Sequence, residues 1–174
     1  MVIWLTGYSS SGKSTLGMAL YQHFSNKGLI KLLDGDEIRA GLNSDLGFSI
    51  KDRKENIRRV AHLAKLFHTD GYLVICCFIS PTEEIRSMAR EIINAKNYYE
   101  VFVDAPIEVC EKRDVKGLYQ KARSGELINF TGIDSLFEKP NGPNLVLNTH
   151  LQTLNESTEL LIEKIEPLIK HKNH

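Results

Sequence analysis

The stretch "VIWLTGYSSSGKST" (2–15) constrains this chain more than any other. Val2 to Thr6 form a short apolar run, and Gly7, Gly12, Lys13 and Ser14 then fill the fixed places of G-x-x-x-x-G-K-[ST]. A loop that wraps a phosphate must turn several backbone N–H groups inward, which glycine tolerates best. A helix starting directly after the loop adds its positive end. "STLGMALYQHF" (14–24) reads as that helix, with Leu16, Leu20 and Phe24 on one face. Lys13 supplies a point charge to β- and γ-phosphates, and the Ser14 hydroxyl is placed to ligate Mg²⁺. A glycine–serine turn with an exposed lysine would leave strand, spacing and hydroxyl without a common explanation.

The pattern continues in the same style. Strands read at about 2–6, 30–34, 72–78, 99–103 and 145–148, and helices at about 13–25, 50–69, 82–95, 106–112 and 153–169. Such alternation predicts an α/β fold of three layers, a five-stranded parallel sheet with helices on both faces, built as one domain over 1–174. Ligands of such sheets sit beyond the C-terminal strand ends. The residues just past the strands, 7–14, 34–39, 80–83 and 104–106, are therefore expected to line one site.

Charge and composition narrow the partners. Lysine plus arginine and aspartate plus glutamate number 22 each, so no global charge argues for nucleic acid or a membrane surface. The longest apolar run, "YLVICCFI" (72–79), is too short to cross a bilayer, and no signal peptide is readable. Cys76, Cys77 and Cys110 show neither zinc spacing nor a disulfide framework, and read as reduced core thiols of a cytoplasmic protein. Cys76 and Cys77, adjacent in a strand, must point to opposite faces. "EKPNGPN" (138–144) is a loop, and the tail "KHKNH" (170–174) reads as frayed, with solvated histidines.

Three groups lie opposite the phosphate loop. Asp34 and Asp36 flank a glycine at a strand end. Either carboxylate can hold Mg²⁺ through water or take a proton from an attacking hydroxyl, and Asp36 can also cap a short helix starting at Glu37. Arg53 and Asn56 share a helix face, with Arg39 upstream, and arginine forks suit doubly anionic groups. Phe48 reads either as a core plug or as a platform for a flat ring. The segment 110–132, with Lys112, Arg113, Lys116, Lys121 and Arg123, reads as a basic lid at about 113–130 that closes over phosphates and excludes water. The other reading is a solvated amphipathic helix, with which Phe130 and three glycines do not agree.

With these residues on the page, the chain resembles the adenylylsulfate (APS) kinase family, which uses ATP to phosphorylate adenosine 5′-phosphosulfate on its ribose 3′-hydroxyl, giving PAPS. The resemblance rests on "WLTG…SGKSTL", "LDGD.IR.GLN.DLGFS..DR.ENIRR", "FISP", "VCEKRDVKGLY.KAR.GE", "NFTGID" and "EKP", in order along the chain. It implies ATP phosphates on Gly7, Tyr8, Ser9, Ser10, Ser11, Gly12, Lys13, Ser14 and Thr15, with Arg113 and Arg123 on the ATP side of the lid. It implies APS held by Asp36, Arg39, Arg53, Asn56, Ile79, Ser80 and Lys116, its adenine sandwiched by Phe48 and Phe130. Mg²⁺ accompanies ATP, held by Ser14 and, through water, by Asp36; Lys13 and Asp36 are the catalytic pair; and the assembly implied is a homodimer.

The chain departs from the family pattern in two places. "GYSSSGKS" replaces the usual "GLSGAGKS", so Ser10 and Ser11 stand for glycine and alanine, and "DGDE" puts Glu37 where an asparagine is usual. The resemblance also carries a phosphoserine role for Ser80, whereas "SPTE" is equally a capping box with Ser80 as N-cap and Glu83 returning the bond. The competing readings are another small-molecule phosphate-loop kinase, acting on a nucleotide or sugar acid, and a non-catalytic nucleotide-binding protein.

Overall fold

The architecture follows from a sheet whose inner strands are buried on both faces. In the computed structural model, which describes residues 1–170, Val2–Thr6 (β1) is buried along its whole length, as is Leu73–Cys77 (β3). Near-continuous apolar strands of this kind belong to a parallel sheet covered on both faces. Ile30–Asp34 (β2), Tyr98–Asp104 (β4) and Leu145–Asn148 (β5) complete a sheet of order β2-β3-β1-β4-β5, every pair parallel.

Seven helices flank it among the described residues: Lys13–Phe24 (α1), Gly35–Ala40 (α2), Ile50–Thr69 (α3), Glu83–Ile93 (α4), Ile107–Arg113 (α5), Leu118–Arg123 (α6) and Leu154–Lys170 (α7). One core joins Val2 and Trp4 of β1 to Ile57, Val60 and Ala64 of α3 and Ile85 and Ala89 of α4. The other joins Ile3 and Leu5 to Leu16, Leu20 and Phe24 of α1 and Leu161 and Ile165 of α7. Cys76 falls in the first core and Cys77 in the second, as strand alternation requires. A smaller third cluster, Ala105, Cys110, Tyr119, Ala122 and Phe130, lies under the lid.

The differences from expectation are local. The short helix readable from Glu37 is present as α2, starting at Gly35, and the lid contains α6. The α6 helix is not a solvated amphipathic helix: Tyr119 and Ala122 are buried in the lid's own core. The expected helix over 82–95 begins at Glu83 and ends at Ile93, followed by a 3₁₀ turn, Ala95–Asn97. His171 and His174, read as solvated, lie outside the described residues.

Candidate active site

The phosphate loop sits at the C-terminal end of the central strand, β1. Gly7 has φ 148°, and a Cβ there would lie 2.4 Å from the Val103 carbonyl oxygen of β4, so no side chain fits. Lys13, the first residue of α1, is only 8% exposed. Its ammonium donates to the carbonyls of Gly7 (3.0 Å) and Tyr8 (2.5 Å), folded back on the loop it serves. Burial pulls its pKa down to about 8, with the neighbouring Lys116 charge acting the same way. Ser10 holds φ 58°, the left-handed region, where the family pattern has glycine. Ser11 is fully buried, and its hydroxyl has no hydrogen-bond partner among the described residues. Thr15 is exposed at the start of α1.

Two flanking contacts complete the loop. The Ser14 hydroxyl donates to Asp34 Oδ2 (2.6 Å), and Asp34 Oδ1 accepts from the Asp36 amide (3.0 Å), capping α2. Asp34, not Asp36, is thus both the cap and the carboxylate against the Ser14 hydroxyl. On the other side, Arg113 donates to the Thr149 carbonyl (2.6 Å), and the Thr149 hydroxyl donates to the Ser11 carbonyl (2.8 Å). Arg123, expected on the ATP side, makes its ion pair with Glu111 through Nε and Nη2. The structure does not bring it to the loop, because Glu111 lies within reach one helix back.

Of the residues expected on the acceptor side, Arg39, Phe48 and Arg53 are brought together. The Arg39 guanidinium lies over the Phe48 ring (4.5 Å to its centroid), with that of Arg53 also near it (5.6 Å). Phe48 is 45% exposed, which rules out the core-plug reading. Arg39 donates to the carbonyls of Leu46 and Gly47, and Arg53 to those of Phe48 (3.0 Å) and Asn129 (2.8 Å). Burial first, then the Arg39 charge, lowers the Arg53 pKa to about 10. These crowded guanidiniums are a place where an anion relieves repulsion. Asn56 is buried and accepts from Asn43 Nδ2 (2.9 Å), whose own oxygen accepts from Arg59 (3.4 Å). Lys116 of the lid pairs with Asp36. Glu37 is exposed in the first turn of α2.

Ser80 is not the helix cap. Thr82 is, its hydroxyl accepting from the Ile85 amide, while the Glu83 amide donates to the Glu138 carboxylate (2.7 Å). Ser80 instead holds φ 47° at 1% exposure; its hydroxyl accepts from Trp4 Nε1 (3.0 Å) and its carbonyl from Arg86 (2.9 Å). Arg86 is backed by Glu83 and by Glu100, which is itself buried. The Ile79 carbonyl accepts from the Thr6 hydroxyl (2.6 Å). Phe130 differs from expectation as well. It is 6% exposed and meets Tyr119 edge-on (centroids 4.8 Å), so it is no open stacking face here.

Sequence reasoning missed Thr149, Tyr119 and Asn43. Thr149 directly follows β5, so the strand-end rule that found the other segments reaches it too.

Known proteins share this fold. The family model described as adenylylsulphate kinase matches residues 1–148. An adenylyl-sulfate kinase of Bacteroides thetaiotaomicron is 52% identical over 173 residues, covering 99% of this chain and 86% of the relative. The structure of the Mycobacterium tuberculosis APS kinase CysC in complex with AMPPNP and APS superposes with a TM-score of 0.89 at 44% identity, covering 95% of this chain and 96% of that one. A hexameric APS kinase from Thiobacillus denitrificans is 27% identical with a TM-score of 0.72, covering 95% of this chain and 28% of its own.

Proposed function

The chain belongs to the adenylylsulfate kinase family, and on that premise we propose that ATP lies on the phosphate loop, with the sulfonucleotide docked against the Arg39–Phe48–Arg53 group. The activity is ATP-dependent phosphorylation of the 3′-hydroxyl of adenosine 5′-phosphosulfate, giving PAPS and ADP, a step of sulfate activation. The observation that carries the assignment of roles is the placing of an exposed aromatic face beside two guanidiniums at the same strand ends as a buried, loop-bound lysine.

Phosphoryl transfer of this kind relies on positioning and charge rather than on covalent chemistry. Residues 7–15 cradle the ATP phosphates, and Arg113, tied through Thr149 to Ser11, supports the loop from the lid side. Lys13 leaves the Gly7 and Tyr8 carbonyls for the β- and γ-phosphates. Mg²⁺ suits the donors present. Ser14 and Asp34 offer one hydroxyl and one carboxylate, and a cation that keeps most of its water and takes phosphate oxygens needs no more. No cluster of three His, Cys, Asp or Glu residues that could hold a metal by itself occurs among the described residues. Ser14 and Asp34 would hold the cation beside the nucleotide, where it would supply neutralisation of phosphate charge. Asp36 orients or deprotonates the 3′-hydroxyl, which requires its ion pair with Lys116 to open toward the substrate.

Arg39, Arg53, Asn56, Ile79, Ser80 and Lys116 line the APS side, and Phe48 supplies the stacking face for adenine. Phe130 joins as the second face when the lid cluster shifts. Ser80 serves as a held wall of this site, its hydroxyl engaged by Trp4 and screened from solvent, and not as a phosphate carrier. Arg123 reaches the ATP side only if its exposed ion pair with Glu111 opens. Glu37 adds an exposed negative charge with no arginine ion pair among the described residues, which lowers APS affinity relative to an asparagine. We read the protein as one cytoplasmic domain acting as a homodimer; light scattering on the purified chain tests the assembly.

Lys13→Ala tests the roles. It is expected to abolish PAPS formation from APS and ATP while leaving the circular dichroism spectrum unchanged, and near-normal turnover would reject the loop's assignment. A panel of nucleotide and sugar-acid acceptors with labelled ATP, run beside APS, separates this activity from that of other small kinases.

A further inference from the structure

The segment "NFTG" (129–132) touches both sides of the site. At its start, the Asn129 carbonyl accepts from Arg53 (2.8 Å), a residue on the acceptor side. At its end, Gly132 lies against the Tyr8 ring of the phosphate loop, where an added Cβ would stand 2.7 Å from a ring carbon. Between them, Phe130 packs edge-on against Tyr119, and the Tyr119 hydroxyl donates to the Ser9 carbonyl of the phosphate loop (3.1 Å). Tyr119 is fully buried. Its own position is set from outside the loop, since the Asp114 carboxylate accepts from the amides of Tyr119 and Gln120 (3.1 Å each). Asp134 holds the segment in turn, accepting from the amides of Asn129 (2.7 Å) and Phe130 (2.6 Å).

We propose that Tyr119 is a positioning residue that couples the two substrate sites, its hydroxyl reading the phosphate-loop backbone and its ring setting Phe130. The physical basis is a rigid strut. A buried phenol has little freedom, so a nucleotide that fixes the Ser9 carbonyl fixes the ring, and the ring's edge fixes the face of Phe130. The Gly132–Tyr8 contact works in parallel and sets the distance between the segment and the loop. Ligand at the phosphate loop thereby orders the acceptor side, and the reverse holds by linkage. The inference rests on the assignment of ATP to the phosphate loop and of APS to the Phe48–Phe130 side.

The test compares the full chain with Tyr119→Phe, which keeps the ring and removes the hydroxyl. Hydrogen exchange of peptides covering 127–134 is followed with and without saturating Mg·ADP, with no sulfonucleotide present. Bound ADP is expected to slow exchange of that segment in the parent chain by about fivefold, the factor one net hydrogen bond carries, and to slow it far less in Tyr119→Phe. Steady-state assays are expected to show KM for APS raised roughly fivefold in the variant, with kcat within about twofold. A merely structural role for the hydroxyl would move neither the ADP-induced protection nor that split. Equal protection in both proteins, or none in the parent chain bound to ADP, overturns the proposal. Protection that follows the hydroxyl in a chain making no PAPS would leave the strut standing and remove the substrate reading instead.

Discussion

Lys13 puts a measurable pH signature on the stability of the ligand-free protein. Burial lowers its pKa from the usual 10.5 to about 8, because two backbone carbonyls replace the water around its ammonium imperfectly. Between these two values the unfolded chain binds a proton that the folded chain does not. The unfolding free energy therefore rises with pH across that window and is flat in this respect below about 8 and above 10.5. The gap, at about 1.4 kcal/mol for each factor of ten, corresponds to about 3 kcal/mol. Lys13→Met isolates the effect, since it keeps most of the stem and removes the charge, while other titrating groups cancel in the difference. Urea unfolding of both proteins from pH 7 to 10.5 should show the parent chain gaining about 3 kcal/mol on the variant. A phosphate ligand reverses the preference by holding the ammonium charged, so ADP affinity of the parent chain should fall above pH 8 and that of the variant should not. A stability difference that stays level within about 1 kcal/mol across the range would refute the account, because it would mean that the ammonium is not desolvated.

Four further substitutions have defined outcomes. Ser11→Ala removes a buried hydroxyl that has no partner among the described residues and should raise the melting temperature by roughly 2–4 °C, for about 1 kcal/mol gained. Ser10→Gly relieves the left-handed backbone but loosens the unfolded chain, so its melting temperature should move less than that of Ser11→Ala. A fall of several degrees on Ser11→Ala would mean that the hydroxyl bonds something after all. Phe48→Ala should raise KM for APS by about tenfold or more with little change in melting temperature, as fits a half-exposed stacking face; unchanged APS affinity would remove Phe48 from the site. Ser80→Ala leaves the buried Trp4 Nε1 without its acceptor and should destabilise by about 1–3 kcal/mol, with turnover kept within about tenfold. A loss of turnover as deep as that of Lys13→Ala, with trapped phosphoserine in the parent chain, would argue for a covalent intermediate.

Local chemistry was legible wherever a rule involves neighbours in sequence. The span of α3 matches its apolar stripe, and the strand ends match their apolar runs to within about one residue. Ser80 shows where such rules compete. "SPTE" carries an N-cap signal at Ser80, but Trp4, far away in sequence, takes the Ser80 hydroxyl and the cap falls to Thr82. On paper the sequence favours Asp36 over Asp34 for both the metal and the helix cap. Only Asp34 is placed where one carboxylate can meet both the Ser14 hydroxyl and the Asp36 amide. Phe130 looked like an exposed aromatic because its partner Tyr119 comes from a helix six residues long, too short to leave a periodic signal among the lid's charges.

What the sequence determined by itself was the alternation of elements, the phosphate loop and the family, because periodicity, glycine placement and motif spacing act through bonds between near neighbours. What the tertiary structure decided was partnership: Arg113 with Thr149 and not Arg123, Thr82 as the cap, Tyr119 between loop and lid. Those choices wait on a sheet that sets β3 and β4 on either side of β1, bringing together side chains that no local pattern relates.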